Sequence, residues 1–188
     1  GARLAGDWNV IVVTINYRLG ALGFLDFSGL DGCCVANPGL HDVVLALQWT
    51  HDHIGAFGGD PGAITAVGES AGGTLVSLLP VLDDAAPLLS RVVLMSGIPT
   101  ALLPPREAAE IVERFLRFLG VRNAEDLRRL PDARIVGQTG AFMRRSGLGA
   151  GSFVPAIDGI YLRDYPVNLL RRGAYRPLPM LIGTTRDE

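Results

Sequence analysis

The sequence predicts an α/β fold with a mostly parallel central sheet and flanking helices. Short apolar runs rich in β-branched residues, typical of strands covered on both faces, lie at residues 9–17, 63–67 and 91–95. Segments in which apolar residues recur with helical spacing lie between and after these runs. Strands that alternate with helices along one chain are typical of this fold class.

The first strand, Asn9 to Tyr17, is followed by a helix that is expected to begin at Asn37 and Pro38. Asparagine favours the N-cap and proline the first helical position. One apolar face is formed by residues at i, i+3, i+4 and i+7, namely Leu40, Val43, Val44 and Leu47. This helix should run to about Ile54, and a glycine-rich turn over residues 57–62 then leads into the strand at 63–67.

The later elements are predicted from the spacing of their apolar residues and from the glycine and proline residues that end helices. The apolar segment 74–79 predicts a helix, and residues 91–95 predict a buried strand. The remaining expected elements are a helix over 107–119 ended by Gly120, a helix over 124–130 between Asn123 and Pro131, a helix over 165–172 ended by Gly173, and a strand over 180–183.

Length and composition indicate one domain with a sizeable core. The chain has 188 residues, of which 48% are hydrophobic and 19% are charged. A formal net charge of −2 argues against nucleic acid or an anionic membrane as the main partner. All 17 basic residues are arginines, which excludes Schiff-base lysine chemistry and Walker-type phosphate binding. No apolar stretch reaches the roughly 18 residues that a membrane-spanning helix needs.

The two cysteines, Cys33 and Cys34, are adjacent in the sequence. Adjacent cysteines rarely bridge, so a disulfide framework is not expected, and two lone cysteines do not make a zinc site. No signal peptide is recognisable, and the chain opens with Gly1 rather than methionine. Localisation therefore stays open, with a cytoplasmic location slightly favoured, and the oligomeric state is not specified.

The reactive chemistry of the sequence is concentrated in GESAGG at residues 68–73. A G-x-S-x-G pattern marks a nucleophile elbow when it joins a strand to a helix, because small residues tolerate a sharp turn. Ser70 would then present an exposed hydroxyl, and the N–H of Ala71 would face a developing oxyanion. A chance match is expected in about one chain in ten of this composition. The strand before the motif and the apolar segment after it favour the nucleophile interpretation.

Several motifs occur along almost the whole chain in one order. They are VVTINYRLGALGFL (12–25), NPGLHDVVLALQW (37–49), FGGDP (57–61), GESAGG (68–73) and LIGTTRDE (181–188), with weaker matches at LMSG (94–97) and PAIDG (155–159). In this order they resemble the carboxylesterase type B family, the cholinesterase-like α/β-hydrolases. The resemblance implies a partial α/β-hydrolase fold.

The resemblance also implies a Ser–Glu–His triad, and an oxyanion hole made by an upstream glycine-rich loop and the N–H after the serine. It makes Ser70 the nucleophile and Ala71 an oxyanion donor. The triad acid falls within TTRDE, where the residues alone leave Asp187 and Glu188 open and the family pattern selects Glu188.

Two further residues are candidates for supporting the site. Glu69 is adjacent to the nucleophile and would tune the site electrostatically, while the alternative is a buried, hydrogen-bonded carboxylate that supports the turn. Ser96 in LMSG resembles a family serine near the site, with a structural hydroxyl as the alternative. Asp60 and Asp158 are interpreted as turn residues.

The histidines of this chain do not match the triad. An α/β-hydrolase triad runs serine, acid, histidine along the chain, whereas His41, His51 and His53 all precede Ser70. They fall on or at the end of one predicted helix, which favours solvated or helix-terminal roles over catalysis or a metal pair. We therefore expect residues 1–188 to be a single α/β-hydrolase domain that is incomplete at both ends, with the upstream loop and the catalytic histidine outside it.

The leading functional hypothesis is a serine carboxylic-ester hydrolase that acts on a small-molecule ester. It uses an acyl-enzyme and requires no metal and no organic cofactor. One alternative is a non-catalytic adhesion or scaffold protein of the neuroligin type, which keeps the fold and loses the nucleophile; the presence of Ser70 and Glu188 disfavours it. The other is an inactive truncated esterase, since the 188 residues by themselves lack the triad histidine.

Overall fold

The computed structural model describes residues 1–31 and 34–187. The α-helices in this part of the chain are α1 (Ala2–Trp8), α2 (Gly20–Phe24), α3 (Ser28–Asp31), α4 (Pro38–His53), α5 (Ala71–Leu78), α6 (Pro105–Leu119), α7 (Ala124–Arg128), α8 (Asp132–Ser146) and α9 (Pro166–Arg171). The strands are β1 (Thr65–Glu69), β2 (Arg91–Met95) and β3 (Met180–Gly183). Short 3₁₀ turns occupy Ile54–Phe57, Pro61–Ala63, Leu79–Val81, Ala86–Leu88 and Gly149–Ser152.

The chain divides into two compact units whose sequence segments interleave. The first unit contains residues 1–16, 42–100 and the chain from 165 onwards, and the second contains residues 17–41 and 101–164. The three strands and α5 belong to the first unit, whereas α2, α6, α7 and α8 belong to the second. The single incomplete domain expected from the sequence stays a prediction.

A parallel sheet in the order β1-β2-β3 lies in the first unit. Glu69 is opposite Met95 in the first pair, and Met95 is opposite Gly183 in the second. The strands predicted at 91–95 and 180–183 are confirmed. The strand predicted at 63–67 begins later, at Thr65, because the Asp60 carboxylate accepts the N–H of Gly62 at 2.8 Å and caps a 3₁₀ turn there. The turn role predicted for Asp60 is thereby confirmed.

The strand predicted over residues 9–17 is wrong for the described structure. α1 ends at Trp8, Asn9 takes a left-handed conformation with φ 49°, and residues 10–19 form neither helix nor strand. A strand needs a neighbour that completes its backbone hydrogen bonds, and an apolar run does not supply that neighbour. Residues 10–15 instead line a groove of about 750 Å³, which β1 and α4 also line.

The core of the second unit is built on α6. Its buried face carries apolar residues at helical spacing, namely Ala108, Ile111, Val112, Phe115, Leu116 and Leu119. Phe115 is fully buried and packs edge-on against Phe142 of α8, with ring centroids 5.1 Å apart. As predicted, α6 ends at Gly120, which has φ 75°. The predicted cap of α7 is also confirmed, since the Asn123 side chain accepts the N–H of Asp126 at 2.8 Å.

Helix α8 was not predicted from the sequence. Gly137 and Gly140 lie in its interior, where glycine disfavours helix by about 1 kcal/mol relative to alanine. Its sequence signals are the apolar pair Ile135 and Phe142, two turns apart on one face, and the left-handed Gly147 at its end. Because local helix propensity is low here, the packing of Phe142 in the core is what stabilises α8 as a helix.

Asn37 precedes α4 as predicted, but its side chain has a different role from the expected N-cap. Its Oδ1 accepts the N–H of Ala156 at 2.7 Å, and its Nδ2 donates to the Ala156 carbonyl at 2.8 Å and to Asp158 at 3.2 Å. Asp158 in turn accepts the N–H groups of Ile160 and Tyr161, each at 2.7 Å, which confirms its predicted turn role. Asn37 is fully buried, so this amide fastens the start of α4 to the segment around Ala156.

We expect Asn37→Ala to lower the free energy of unfolding by about 3 kcal/mol. The change leaves the buried N–H and carbonyl of Ala156 without their partner, and each lost partner costs about 1–3 kcal/mol. Urea unfolding followed by circular dichroism measures the effect. Asn123→Ala is the matched control, because it removes an exposed cap worth about 1 kcal/mol. Equal effects of the two substitutions would contradict this account of Asn37.

Candidate active site

Ser70 occupies the sharp turn between β1 and α5. Its backbone has φ 52° and ψ −117°, a conformation that L-residues rarely adopt. Such a residue stores strain of order 1–3 kcal/mol and persists only where its surroundings hold it. The tight strand-to-helix turn predicted at Ser70 is thereby confirmed.

Hydrogen bonds on both sides of Ser70 hold this strained conformation. The N–H of Ser70 donates to the carbonyl of Met95 at 2.8 Å, which joins the turn to the end of β2. The carbonyl of Ser70 accepts the N–H of Thr74 at 3.0 Å, which starts the hydrogen bonding of α5. The two peptide groups of Ser70 are therefore fixed by separate elements.

Close backbone approaches explain two of the glycines around Ser70. A Cβ on Gly68 would lie 2.2 Å from the Gly72 carbonyl oxygen, and a Cβ on Gly73 would lie 2.9 Å from the Cα of Gly97. A Cβ on Gly72, in contrast, would meet open space. Glycine is therefore sterically required at Gly68, the first glycine of G-x-S-x-G, and at Gly73, which follows the motif. It is not sterically required at Gly72, the second glycine of the motif.

The residues at the tip of the turn are accessible. Glu69, Ser70 and Ala71 are all exposed, so the alternative of a buried Glu69 carboxylate is not observed. Ala71 is the first residue of α5, and a helix does not use the N–H groups of its first turn internally. The turn therefore combines an exposed hydroxyl with an adjacent amide at the positive end of a helix.

The ends of β2 and β3 adjoin the same edge of the sheet. Ser96 follows β2 with φ 50°, is half-buried, and donates its N–H to the carbonyl of Gly183 at 2.8 Å. The segment that begins at Thr184 follows β3, and Asp187 within it is exposed. Glu188 lies outside the described residues. Parallel strands thus bring Ser70, Ser96 and the start of the TTRDE segment to neighbouring positions.

Two of the three histidines have the helix-terminal positions that the sequence predicts, whereas His41 lies near the start of α4 and is half-buried. His51 and His53 lie in the last turn of α4, where His51 contacts the carboxylate of Asp52 at 3.1 Å. His53 interacts through Nδ1 with the carbonyl of Trp49 at 2.8 Å and stacks on its ring. His41, in the second unit, stacks on Tyr161 with ring centroids 4.0 Å apart.

Two other sequence predictions concern metal ions and membranes. Within residues 1–31 and 34–187, no group of three or more His, Cys, Asp or Glu side chains is placed to hold a metal ion. None of the described helices has both the length and the apolar character to cross a membrane. Cys33 lies outside the described residues, so the predicted absence of a disulfide stays a prediction.

This arrangement suits nucleophilic attack on a carbonyl carbon. The exposed hydroxyl of Ser70 is held by a strained turn, and the N–H of Ala71 is available to donate to an oxygen that becomes negatively charged. A serine hydroxyl still needs a base that removes its proton, and the described histidines of the first unit are engaged within α4.

Comparison with known sequences shows which proteins this chain is similar to. Residues 1–188 match the carboxylesterase family. The chain is 37% identical to para-nitrobenzyl esterase of Bacillus subtilis and 38% identical to cholinesterase of Mus musculus. Both alignments cover 100% of this chain, but only 39% and 32% of the two relatives.

Solved structures agree with this result. A carboxylesterase of Geobacillus stearothermophilus superposes with a TM-score of 0.90 at 38% identity, over 100% of this chain and 41% of that protein. A thermophilic PNB esterase superposes with a TM-score of 0.92 at 35% identity, over 99% of this chain and 39% of that protein. The likeness confirms the predicted α/β-hydrolase fold, and the chain spans about two fifths or less of these relatives.

Proposed function

Because the chain belongs to the carboxylesterase family, we propose that the protein is a serine hydrolase of carboxylic esters. The observation that carries the proposal is the position of Ser70, exposed in a strained turn between β1 and α5. Strained backbone of this kind clusters at functional sites, and here it presents the Ser70 hydroxyl to solvent between a strand and a helix. The non-catalytic scaffold hypothesis has no observation of this kind in its favour.

The proposed reaction begins when Ser70 Oγ attacks the ester carbonyl carbon while a histidine removes its proton. We place this histidine outside the 188 residues. The carbonyl electron pair moves onto oxygen, and the N–H of Ala71 donates to that oxyanion. The alcohol then leaves with the proton from the histidine, and an acyl-enzyme remains. Water, deprotonated by the same histidine, attacks the acyl carbon; the bond from that carbon to Ser70 Oγ breaks, the histidine returns the proton to Oγ, and the carboxylic acid is released.

Glu188 is the proposed acid of the triad. Its segment follows β3, which is separated from β1 by β2 alone, at the edge of the sheet where Ser70 lies. A carboxylate at this place would accept the second N–H of the histidine, select its tautomer and stabilise its cation.

Ser96 and Glu69 are the proposed supporting residues. Ser96 lies at the end of β2, between the strand that carries Ser70 and the strand that leads to Glu188. The exposed carboxylate of Glu69, adjacent to Ser70, would favour the cationic form of a nearby histidine during attack. The proposed substrates are small carboxylic esters, and this mechanism uses no metal and no organic cofactor.

A fluorophosphonate probe tests the proposal in the full-length protein. We expect one serine, Ser70, to be labelled, as located by mass spectrometry of peptides, and Ser70→Ala to abolish labelling. Only a serine activated by a base reacts rapidly with such a probe. Ser90→Ala is the matched control and should label normally, because Ser90 precedes β2 at the opposite end of the strand from the site. Absence of labelling in the native protein, or labelling at another serine, would refute the proposal.

A further inference from the structure

The hydroxyl of Thr74 connects the turn at Ser70 with the segment that follows β2. Thr74 is buried, with 7% of its surface exposed, one helical turn after Ser70. Its Oγ1 accepts the N–H of Ile98 at 3.1 Å. The same hydroxyl lies 3.3 Å from the Ile98 carbonyl oxygen and 3.4 Å from the Ser70 carbonyl oxygen, within donating distance of both. One side chain thus contacts both segments through their peptide groups.

The backbones of these segments are also in direct contact. A Cβ on Gly97 would lie 2.5 Å from the carbonyl carbon of Gly73 and 2.8 Å from the nitrogen of Thr74. No methyl group fits between the segments, so a shift of residues 96–98 displaces the first turn of α5. The steric contact limits closer approach of the two segments, and the hydrogen bond from Ile98 to Thr74 opposes their separation.

This connection continues to the end of β3. Ser96, two residues before Ile98, donates its N–H to the carbonyl of Gly183, the last residue of β3. Ser70 itself donates to Met95, the residue before Ser96. The position of residues 96–98 therefore influences the spacing between Ser70 and the chain that continues from β3 towards the proposed acid.

We infer that Thr74 is a positioning residue for the proposed hydrolysis: its hydroxyl fastens residues 96–98 to α5, and so maintains both the strained turn at Ser70 and the spacing from Ser70 to the segment after β3. The inference rests on the proposed function. A strained residue persists only when several contacts determine its conformation, and the Thr74 side chain supplies a contact that the regular hydrogen bonds of α5 do not. A nucleophile displaced by a fraction of an ångström reacts more slowly although the substrate still binds.

The test uses Thr74→Val in the full-length protein. Valine retains the branched shape and removes the hydroxyl, so the N–H of Ile98 loses its acceptor. We expect the rate of fluorophosphonate labelling at Ser70, and kcat for p-nitrophenyl acetate, to fall by about tenfold, with KM changed by less than about twofold. Thr74→Ser keeps the hydroxyl and should return both rates to within about twofold of the native protein.

Thr50→Val is the matched control. Thr50 is similarly buried, at 9%, and its hydroxyl donates to the Ala46 carbonyl at 2.8 Å within α4. It undergoes the same chemical change, and we expect native labelling and native kcat. Rates are referred to the number of reactive sites, counted by complete titration with the probe, so that unfolded molecules do not contribute.

The possible outcomes separate this inference from the proposed function. Native rates per site in Thr74→Val, even with a lowered melting temperature, would assign Thr74 a merely structural role and overturn the inference. If Thr74→Val does not fold, Thr74→Ala replaces it in the same comparison with Thr74→Ser. If the native protein is not labelled at Ser70, the proposed function fails. If the native protein is labelled at Ser70, and Thr74→Val and Thr74→Ala are labelled as fast as the native protein, only the present inference fails.

Discussion

Ser70→Ala is expected to lower kcat for p-nitrophenyl acetate by about 10⁶-fold in the full-length protein, because the members of a serine triad act as a unit. The substitution removes only the attacking oxygen. Alanine carries a Cβ as serine does and takes the same backbone conformation at similar cost, so the turn between β1 and α5 should persist. KM should change little, since the hydroxyl contributes to the transition state more than to binding.

Steady-state kinetics measure this loss, and thermal unfolding shows whether the variant remains folded. Ser90→Ala again serves as the control, because it removes a hydroxyl at the amino end of β2 and should retain native kcat. A decrease of less than about tenfold in a folded Ser70→Ala variant would mean that a different group attacks the ester.

Glu188→Gln is expected to lower kcat by about 10⁴-fold. Glutamine has nearly the same size as glutamate but no charge, and its NH₂ group favours the wrong tautomer of the triad histidine. The lost carboxylate also no longer stabilises the histidine cation that forms during attack. Asp187→Asn is the matched control, one residue earlier in the same segment, and should lower kcat by less than about tenfold.

The reverse order of these two effects would show that the acid is Asp187. A crystal structure of the full-length protein gives an independent check of the same assignment. The side chains of Ser70 and Glu188 should be about 6–8 Å apart, because each would bond to an opposite nitrogen of one imidazole at about 2.6–3.2 Å. A Glu188 side chain at the other end of the sheet would refute the assignment.

The sequence by itself predicts those elements of the fold and of the site that are specified by local patterns. Helix α6 follows from the spacing of its apolar face and ends at a left-handed glycine, and α7 begins at an asparagine that caps it. The elbow at Ser70 was predicted because a short motif encodes the turn and the elements on its two sides. In each of these cases the sequence signal lies within a few residues, as a repeated apolar spacing, a capping residue or a short motif, although packing partners such as Met95 and Phe142 are distant.

Only the tertiary structure decided the features whose partners are distant in the sequence. Residues 9–17 have the composition of a buried strand, yet a strand requires a paired neighbour, and the described chain places none beside them. Helix α8 is stabilised by Phe142, which packs in the core, and the sequence of α8, with two interior glycines, does not predict a helix.

At the site, the same reasoning applies to the role of single residues. The sequence predicts Ser70 as the nucleophile and LMSG (94–97) as a family motif, but it predicts neither the hydrogen bond from Ile98 to Thr74 nor the close approach of Gly97 to α5, because both depend on how the segment after β2 packs. Likewise, the sequence around Asn37 predicts a helix cap, whereas its side-chain amide bonds to the backbone of Ala156, more than a hundred residues away. The sequence determines the chemistry of each side chain. Which distant backbone group a side chain contacts is determined by how the elements pack, because long-range contacts have no fixed spacing along the chain.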